Sequence, residues 1–346
     1  MTEVSLPFGV LGSHRPARLY ILDNGSLRVG ITDFGGRMVS IEAPDRAGKR
    51  GHILLGFGNV SDYAIAGGAF GAILGRNANR IAGGRISIDG RVFELSKNEG
   101  DSTLHGGKEG FDKRFWTVER ADGTSIVLSL VSPDGDQGFP GEVKVQATYE
   151  LEETTLRLAF HAVTTAKTPV TLSAHPYFNL GGSDALDILD HRVMIPAEHF
   201  LPTDQKQIPT GDVLSVAGTA FDFRRLAAIG ERIRTPDPQL LIAKGFDHYF
   251  VLGPGTETPA IAARISHPPT GRVLEILTTQ RGMQFYTGNQ LNGSVAGRGG
   301  AYRQSAGVAF EPQGFPDAPN QPAFPTTLLT PGEIYRQSIW YRFGTA

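Results

Sequence analysis

Short segments in which apolar and polar residues alternate recur along the whole chain, and this pattern limits the fold more than any other feature. A period of two places one type of side chain on each face of a β-strand. The chain also has 44 glycines and 22 prolines among 346 residues, about 19% against a usual ~12%, which suits many tight turns. We count roughly 17–20 candidate strands at the spacing typical of sandwiches and barrels. The clearest are 26–33, 84–95, 125–132, 143–151, 155–163, 272–279 and 334–343.

One hairpin and one helix complete the predicted secondary structure. The dipeptide Asp89-Gly90 suits a turn that needs positive φ, and β-forming residues lie on both sides of it. Apolar residues spaced by three and four predict a helix over 221–233, with Asp222 as its N-cap. No linker, repeat or low-complexity segment divides the chain. We therefore expect a single all-β domain over 1–346 with very little helix, and periodicity leaves open whether its sheets form a sandwich or a barrel.

Charge and composition exclude several classes of function. The formal net charge is -2 without blocks of like charge, which argues against nucleic-acid and membrane partners. No apolar run approaches the roughly 18–20 residues of a membrane span. The first residues resemble no signal peptide, so we expect a cytoplasmic protein. The chain has no cysteine, which excludes disulfides, thiolate nucleophiles and Cys-based zinc sites.

The stretch 71–84, "GAILGRNANRIAGG", places polar side chains directly after an apolar run. Arg76 and Arg80 flank Asn77 and Asn79, and these residue types supply directional hydrogen bonds for an oxygen-rich ligand. The alternative is a turn bounded by glycines with solvated arginines.

Two histidines stand in stretches that could position them. His105 precedes Gly106-Gly107, where the backbone can pass close to a ligand, although a turn residue would look the same. His175 precedes Pro176, which forces it into an extended conformation, and Tyr177 offers a flat surface for sugar C–H groups. A histidine titrates near neutral pH and suits a general acid. A His175 bonded to a backbone carbonyl is the alternative.

Two carboxylates lie at apparent strand ends. Asp247 precedes an aromatic strand and could form a turn or accept hydrogen bonds from two sugar hydroxyls. Glu311 ends an apolar run, on the opposite face from Phe310, and is followed by a proline-rich segment. A partly buried carboxylate has a raised pKa and attracts protons more strongly. A surface glutamate before a loop is the alternative for Glu311.

Taken together, these motifs resemble the aldose 1-epimerase (galactose mutarotase) family. The resemblance covers about 300 residues in order. It rests on "ITDFGGRMVSIEAPD", "GAILGRNANRIAGG", "LHGGKEGFDKRFW", "SAHPYFNL", "TGDVLSVAGTAFDFR", "GFDHYFVL", "GMQFYTGNQL", "FEPQGFPDAPNQPAFP" and "LLTPGE".

The resemblance implies a large antiparallel β-sandwich and the interconversion of α and β anomers of free aldoses such as glucose and galactose, within hexose metabolism. It makes Glu311 the general base and His175 the general acid. It places His105 near the sugar ring oxygen. The positions implied to contact the sugar are Asn79, Arg80, His105, Tyr177, Asp247 and Gln284. Two departures from the family pattern are Asn77 and Pro312, and the first could alter the rim of the pocket.

The chemistry accounts for these groups. Ring opening removes the proton from the anomeric O1 and donates a proton to the ring oxygen O5. Glu311 would act as an ionised base and His175 as an imidazolium. No hydride, phosphate or metal takes part, so we expect no cofactor and no metal site.

Three other functions fit parts of the sequence. A glycoside hydrolase could use Asp247 with Glu311, but it would not require paired histidines. A non-catalytic sugar-binding module would bind an aldose without changing its anomer ratio. A hexose-6-phosphate epimerase should offer a cluster of arginines. The sequence leaves open the physiological sugar and whether the protein is a monomer or a homodimer.

Overall fold

The computed structural model describes residues 5–12 and 15–346. The described residues form 29 strands, three short α-helices and four 3-10 turns, and strand accounts for 44% of the chain against 9% for helix. The strands of the first half are β1 Ser5–Leu11, β2 Arg15–Asp23, β3 Arg28–Thr32, β4 Met38–Pro44, β5 Arg50–His52, β6 Ile73–Leu74, β7 Arg80–Ile81, β8 Arg85–Ile88, β9 Arg91–Glu94, β10 Thr103–Leu104, β11 Thr117–Ala121, β12 Ser125–Ser132, β13 Val143–Glu152, β14 Thr155–Thr164, β15 Thr168–Pro169 and β16 Ser173–Ala174. Those of the second half are β17 Arg192–Met194, β18 His199–Leu201, β19 Leu214–Ser215, β20 Ala227–Ala228, β21 Asp247–Val251, β22 Ala260–Ser266, β23 Arg272–Thr278, β24 Gly282–Tyr286, β25 Ala296–Gly297, β26 Gly300–Ala301, β27 Ala309–Gln313, β28 Leu328–Leu329 and β29 Tyr335–Thr345. The helices are α1 Val60–Ala66, α2 Ile229–Arg232 and α3 Pro238–Ala243, and the 3-10 turns are Ala82–Gly84, Phe111–Lys113, Asp136–Gly138 and Ala318–Asn320.

Three antiparallel sheets dominate the architecture. One has five strands in the order β1-β2-β3-β4-β5, and one has nine in the order β11-β12-β13-β14-β29-β23-β22-β17-β20. A third, which carries much of the candidate site, has the order β19-β18-β21-β24-β27. The expected all-β antiparallel fold with little helix is confirmed.

A single large apolar cluster joins the three sheets. Val29 comes from the first sheet, Leu128 and Phe160 from the second, and Phe285 and Phe310 from the third, and all are fully buried. The alternating burial along β13 and β14 shows why these segments form strands, since every second side chain enters the core. Burying one face in this way fixes the register of each strand.

The predicted hairpin forms as expected. β8 pairs with β9 through a two-residue turn in which Asp89 and Gly90 both have positive φ, at 51° and 79°. Such a turn matches the twist of the flanking strands.

The predicted helix over 221–233 is wrong for most of its length. Phe221 and Phe223 are both fully buried on either side of Asp222, which is a strand-like alternation. Asp222 does not cap a helix; it accepts hydrogen bonds from Arg224 at 2.9 and 2.8 Å. Only α2 is helical in this segment. The two alanines before it form strand β20, which pairs with β17. The sequence prediction also missed α1 and α3.

Glu311 lies within a strand rather than at its end. β27 continues through Pro312 to Gln313, and Pro312 pairs with Met283. A proline fits here because β27 is the edge strand of its sheet. The face assignment is confirmed, since Phe310 enters the core while Glu311 lines a cavity.

Among the helices of the described ranges, none is long and apolar enough to cross a membrane.

Candidate active site

The third sheet aligns two carboxylates and one amide on one face. Gln284 in β24 pairs with Glu311 in the neighbouring β27. On its other side β24 pairs with β21, whose first residue is Asp247. Neighbouring strands lie about 4.8 Å apart, so these side chains reach one another.

Two small strand pairs bring the histidines to this face. β6 pairs with β16, so the segment 71–84 lies beside His175. β7 pairs with β10, so the same segment lies beside His105. The segment 71–84, with its arginines and asparagines, therefore lies in space between His175 and His105.

An open cavity of about 280 Å³ lies where these elements meet. Seven of the eight residues predicted for the site line it. These are Asn79, Arg80, His105, His175, Tyr177, Asp247 and Glu311. The eighth, Gln284, lies behind Asp247 and donates a hydrogen bond from Nε2 to its Oδ1 at 2.7 Å.

Glu311 and His175 form a buried pair. His175 Nε2 lies 3.4 Å from Glu311 Oε1, and their side chains are only 7% and 3% exposed. His175 Nδ1 and Glu311 Oε2 are buried without a hydrogen-bond partner. Unpartnered buried polar atoms are costly, so they indicate that a polar ligand completes the site.

Burial favours the neutral form of both groups. It lowers the pKa of His175 to about 4. Burial, reinforced by the charge of Asp247, raises the pKa of Glu311 well above its ordinary value. Both shifts favour a pair of neutral groups that shares one titrating proton. Burial thus opposes the expected imidazolium beside an ionised glutamate, because neither charge is solvated there.

His105 is held as a neutral hydrogen-bond donor. Its Nδ1 accepts a hydrogen bond from the backbone N–H of Asn79 at 3.1 Å, so the ring proton lies on Nε2. Burial and then the nearby His175 and Arg80 lower the pKa of His105 well below its ordinary value. The ring packs edge-on to His175, with centroids 5.8 Å apart.

An aromatic wall supports His175. Its ring stacks on Tyr177 at a centroid distance of 4.6 Å, and Tyr286 meets it edge-on at 5.9 Å. These contacts fix the direction of the imidazole, as Pro176 alone could not.

A polar network lines the opposite side of the cavity. Arg80 makes a bidentate ion pair with Glu99, from Nε at 2.6 Å and Nη2 at 2.9 Å. Its Nη1 lies 3.8 Å from Asp247 Oδ2. Although burial alone would lower it, the carboxylates Asp247 and Glu99 raise the pKa of Arg80. Burial raises the pKa of Asp247, against the opposing effect of Arg80.

Gln207 joins this network, and the sequence analysis missed it. It accepts a hydrogen bond from Arg80 Nη2 at 2.8 Å and donates one to Asp247 Oδ2 at 3.0 Å. The surrounding "PTDQKQIPTG" reads as an ordinary polar loop, so no signal in the sequence pointed to it.

Three polar residues near the predicted motifs have other roles. Arg76 is buried away from the cavity, where its guanidinium donates to the backbone carbonyls of Ser132, Pro133, Pro140 and Gly141. Asn77 is also buried and does not line the cavity, so it does not form the rim. His248 packs edge-on against Phe221. Gly106 approaches the backbone of Gly75 closely, while Gly107 lines the cavity.

His105, His175 and Glu311 are also the described residues closest to a metal-binding arrangement. Their donor atoms lie within 4.8 Å of one another, although the three are far apart in sequence. The hydrogen bond from Asn79 uses the lone pair of His105 Nδ1, and the ring proton occupies Nε2. His105 thus offers no free lone pair, and two ligands are too few for a tight zinc site.

The family model and similar sequences of known proteins indicate the same protein family. The sequence model of the family described as aldose 1-epimerase matches residues 18–342. The galactose mutarotase of Bos taurus is 44% identical over 326 residues, which cover 94% of this chain and 93% of that protein. The aldose 1-epimerase of Escherichia coli K12 is 35% identical over 333 residues, with coverage of 95% and 96%.

Solved structures share the fold over nearly the whole chain. An aldose epimerase homologue from C. elegans matches with a TM-score of 0.87 at 27% identity, covering 95% of this chain and 99% of that one. A galactose 1-epimerase from Lactobacillus acidophilus matches with a TM-score of 0.85 at 26% identity, covering 99% and 98%. By its sequence and by its fold, the chain belongs to the aldose 1-epimerase family.

Proposed function

We propose that this protein is an aldose 1-epimerase that interconverts the α and β anomers of free aldoses, with Glu311 as general base and His175 as general acid. The observation that carries the proposal is the Glu311–His175 pair at 3.4 Å, buried in a cavity lined by hydrogen-bonding groups. The names of its relatives point to the same reaction.

The reaction needs one proton acceptor and one proton donor on the same sugar ring. Glu311 takes the proton of the anomeric hydroxyl while His175 gives a proton to the ring oxygen, and the C1–O5 bond breaks. The open-chain aldehyde rotates about C1–C2 and presents its other face. Closure then returns the proton from Glu311 to O1 and the proton from O5 to His175, so the enzyme is unchanged.

The single proton of the pair fits this cycle. A neutral glutamic acid beside a neutral imidazole has the same proton count as a carboxylate beside an imidazolium. Transfer across the 3.4 Å between Oε1 and Nε2 converts the neutral pair into the reactive one. Sugar hydroxyls that bind Glu311 Oε2 would favour this transfer, because hydrogen bonds stabilise a carboxylate.

The remaining polar groups of the cavity suit a neutral sugar. His105 offers Nε2–H as a donor near the ring oxygen. Asn79, Arg80 and Asp247 line the cavity as partners for the other hydroxyls. Gln284 supports Asp247 from behind.

A glycoside hydrolase fits this geometry less well. Asp247 would have to act as the second carboxyl, but Gln284 and Gln207 donate to its two oxygens and Arg80 lies close by. Both oxygens of Asp247 thus already accept hydrogen bonds within the protein, and this chemistry would leave the paired histidines without a role.

An epimerase acting on a sugar phosphate fits less well too. The cations that line the cavity among the described residues are Arg80 and Lys113, and Arg80 is paired with Glu99. Arg76, the other arginine of the motif, is bonded to carbonyl groups elsewhere.

The test is polarimetry on freshly dissolved α-D-glucose, α-D-galactose and α-D-xylose. An aldose 1-epimerase brings the optical rotation to equilibrium faster than the spontaneous reaction, in proportion to the amount of protein. The relative rates also rank the candidate sugars. A protein that binds an aldose but leaves the rotation rate unchanged would be a binding module, and the proposal would be wrong.

The proposal includes a cytoplasmic location within hexose metabolism and a monomeric or homodimeric state. Cell fractionation and light scattering test these two points. Recovery in a membrane fraction, or a mass beyond that of a dimer, would contradict them.

A further inference from the structure

Gln207 connects the two charged residues of the proposed sugar-binding wall. Its side-chain amide accepts from Arg80 Nη2 and donates to Asp247 Oδ2, so it bridges a cation and an anion with one planar group. Arg80 is almost fully buried, and the Asp247 side chain is 12% exposed. Hydrogen bonds to charged groups are stronger than those between neutral groups, particularly where little water competes.

The backbone at Gln207 adopts a conformation that is common for glycine and rare for most other residues. Its φ is 59°, in the left-handed region. The turn is closed by hydrogen bonds from Gln207 N to the carbonyl of Asp204 and from Ile208 N to Asp204 Oδ1. Glycine would fit this backbone at lower cost, and the long amide that stands here instead reaches both charged groups.

The amide acts as a spacer between opposite charges. Arg80 Nη1 and Asp247 Oδ2 lie 3.8 Å apart, longer than a direct charge-assisted hydrogen bond of about 2.7–2.9 Å. Without the amide, the guanidinium and the carboxylate can close into a direct pair. Each would then be less available to a sugar hydroxyl. Gln207 itself does not line the cavity, so it acts through these two residues.

We propose that Gln207 is a positioning residue that holds Arg80 and Asp247 apart in the geometry that binds the sugar, and that it thereby sets the affinity for the aldose. This inference rests on the proposed function. Because Gln207 contacts neither His175 nor Glu311, we expect its loss to act mainly on substrate binding rather than on the proton transfers.

The experiment compares Gln207→Leu with Gln205→Leu, a matched change in the same loop at an exposed residue with no side-chain contact to the site. We expect Gln207→Leu to raise KM for galactose and glucose about fivefold to twentyfold, as the loss of one or two hydrogen bonds predicts. The kcat should stay within about twofold of wild type. Gln205→Leu should leave both constants unchanged.

Gln207→Gly separates positioning from folding. Glycine accepts a φ of 59° without strain, which offsets part of the cost of the lost hydrogen bonds, so the variant should remain folded at the assay temperature while KM rises as in the leucine variant. Calorimetric titration of each variant with galactose gives the dissociation constant independently of turnover.

The outcomes distinguish this inference from the proposed function. A wild-type protein that binds galactose without accelerating mutarotation would overturn the proposed function, and the calorimetric constants would still test Gln207. An active wild type with unchanged KM and dissociation constant in both Gln207 variants would overturn the positioning role. A loss of kcat with KM unchanged would overturn it as well, because Gln207 would then act on the chemistry.

Discussion

Glu311 and His175 together determine how the proposed activity depends on pH. Below about pH 4 the pair gains a second proton, so Glu311 can no longer accept one. As the pH rises through the raised pKa of Glu311, the pair loses its only proton and the acid is gone. We therefore expect a bell-shaped kcat/KM profile. Its two midpoints belong to the pair rather than to either residue.

Variants of the two histidines separate their roles. His175→Asn should lower kcat by roughly 10²–10⁴-fold and abolish the basic limb, because ionised Glu311 is then the only requirement left. His105→Asn should keep the basic limb and act more on KM. The reverse pattern, with the limb lost in the His105 variant alone, would exchange the two assignments.

Metal dependence is a second question at the level of single residues. The donor atoms of His105, His175 and Glu311 converge, yet Asn79 occupies the lone pair that His105 would need. We expect full mutarotase activity after exhaustive EDTA treatment. Activity lost on chelation and restored by one particular metal ion would contradict this expectation.

Single residues differ in how well the sequence predicted them. Glu311 and His175 were identifiable because their motifs carry recognisable neighbours. The burial that neutralises both could not be read from the sequence, since it depends on β24, β27 and Tyr177 packing around them. Gln207 could not be predicted, because it lies in a loop more than 100 residues after Arg80 in the sequence and meets it only in the folded chain.

At the scale of elements, alternation predicted the long strands well. β12, β13 and β14 lie within a residue of the predicted segments, because each buries every second side chain. The helix over 221–233 failed because two phenylalanines there are buried with a period of two. Two-residue strands such as β6 and β7 carry too little pattern to predict, although they hold the site together.

Substitution of Gly106 tests whether the pairing of β7 with β10 positions His105. Its φ is 90°, and an added Cβ would lie 2.0 Å from the carbonyl oxygen of Gly75. Gly90 has a φ of 79° with no heavy atom within 4 Å of such a Cβ. Both alanine variants bear a cost of about 1–2 kcal/mol for positive φ. We expect Gly106→Ala to cost about 1–3 kcal/mol more and to lower activity, because the chain must shift.

Urea unfolding and turnover measurements on both variants check this. Equal stabilities and equal activities would mean that the close approach at Gly106 does not position the site.

At the scale of the whole molecule, we propose that residues 1–346 form one domain. The main core takes side chains from all three large sheets, so none of these sheets buries its apolar face alone. We expect one cooperative transition in calorimetry and no stable fragment in limited proteolysis. Two resolved transitions, or a folded fragment of half the chain, would contradict the single domain.

The whole-molecule arrangement also explains why the site lay partly beyond sequence analysis. Antiparallel pairing of β21, β24 and β27 brings residues 247, 284 and 311 together, and two short strand pairs add residues 79, 105 and 175. Family resemblance suggested that these residues share a site. Their distances, charges and hydrogen bonds follow from the packing of the sheets.

If Glu311 is the base of an anomer-exchange reaction, Glu311→Gln should remove that reaction and leave the fold intact. The amide keeps the shape but cannot accept the O1 proton, so kcat should fall at least ~10²-fold. The measurement is α-to-β exchange of galactose by magnetisation-transfer NMR, with unfolding temperature and calorimetric affinity measured alongside. Glu257→Gln, at an exposed carboxylate outside the cavity, serves as the control and should keep the wild-type kcat. We expect a folded, sugar-binding Glu311→Gln protein that exchanges anomers at no more than about 1% of the wild-type rate; exchange near the wild-type rate would show that Glu311 is not the base.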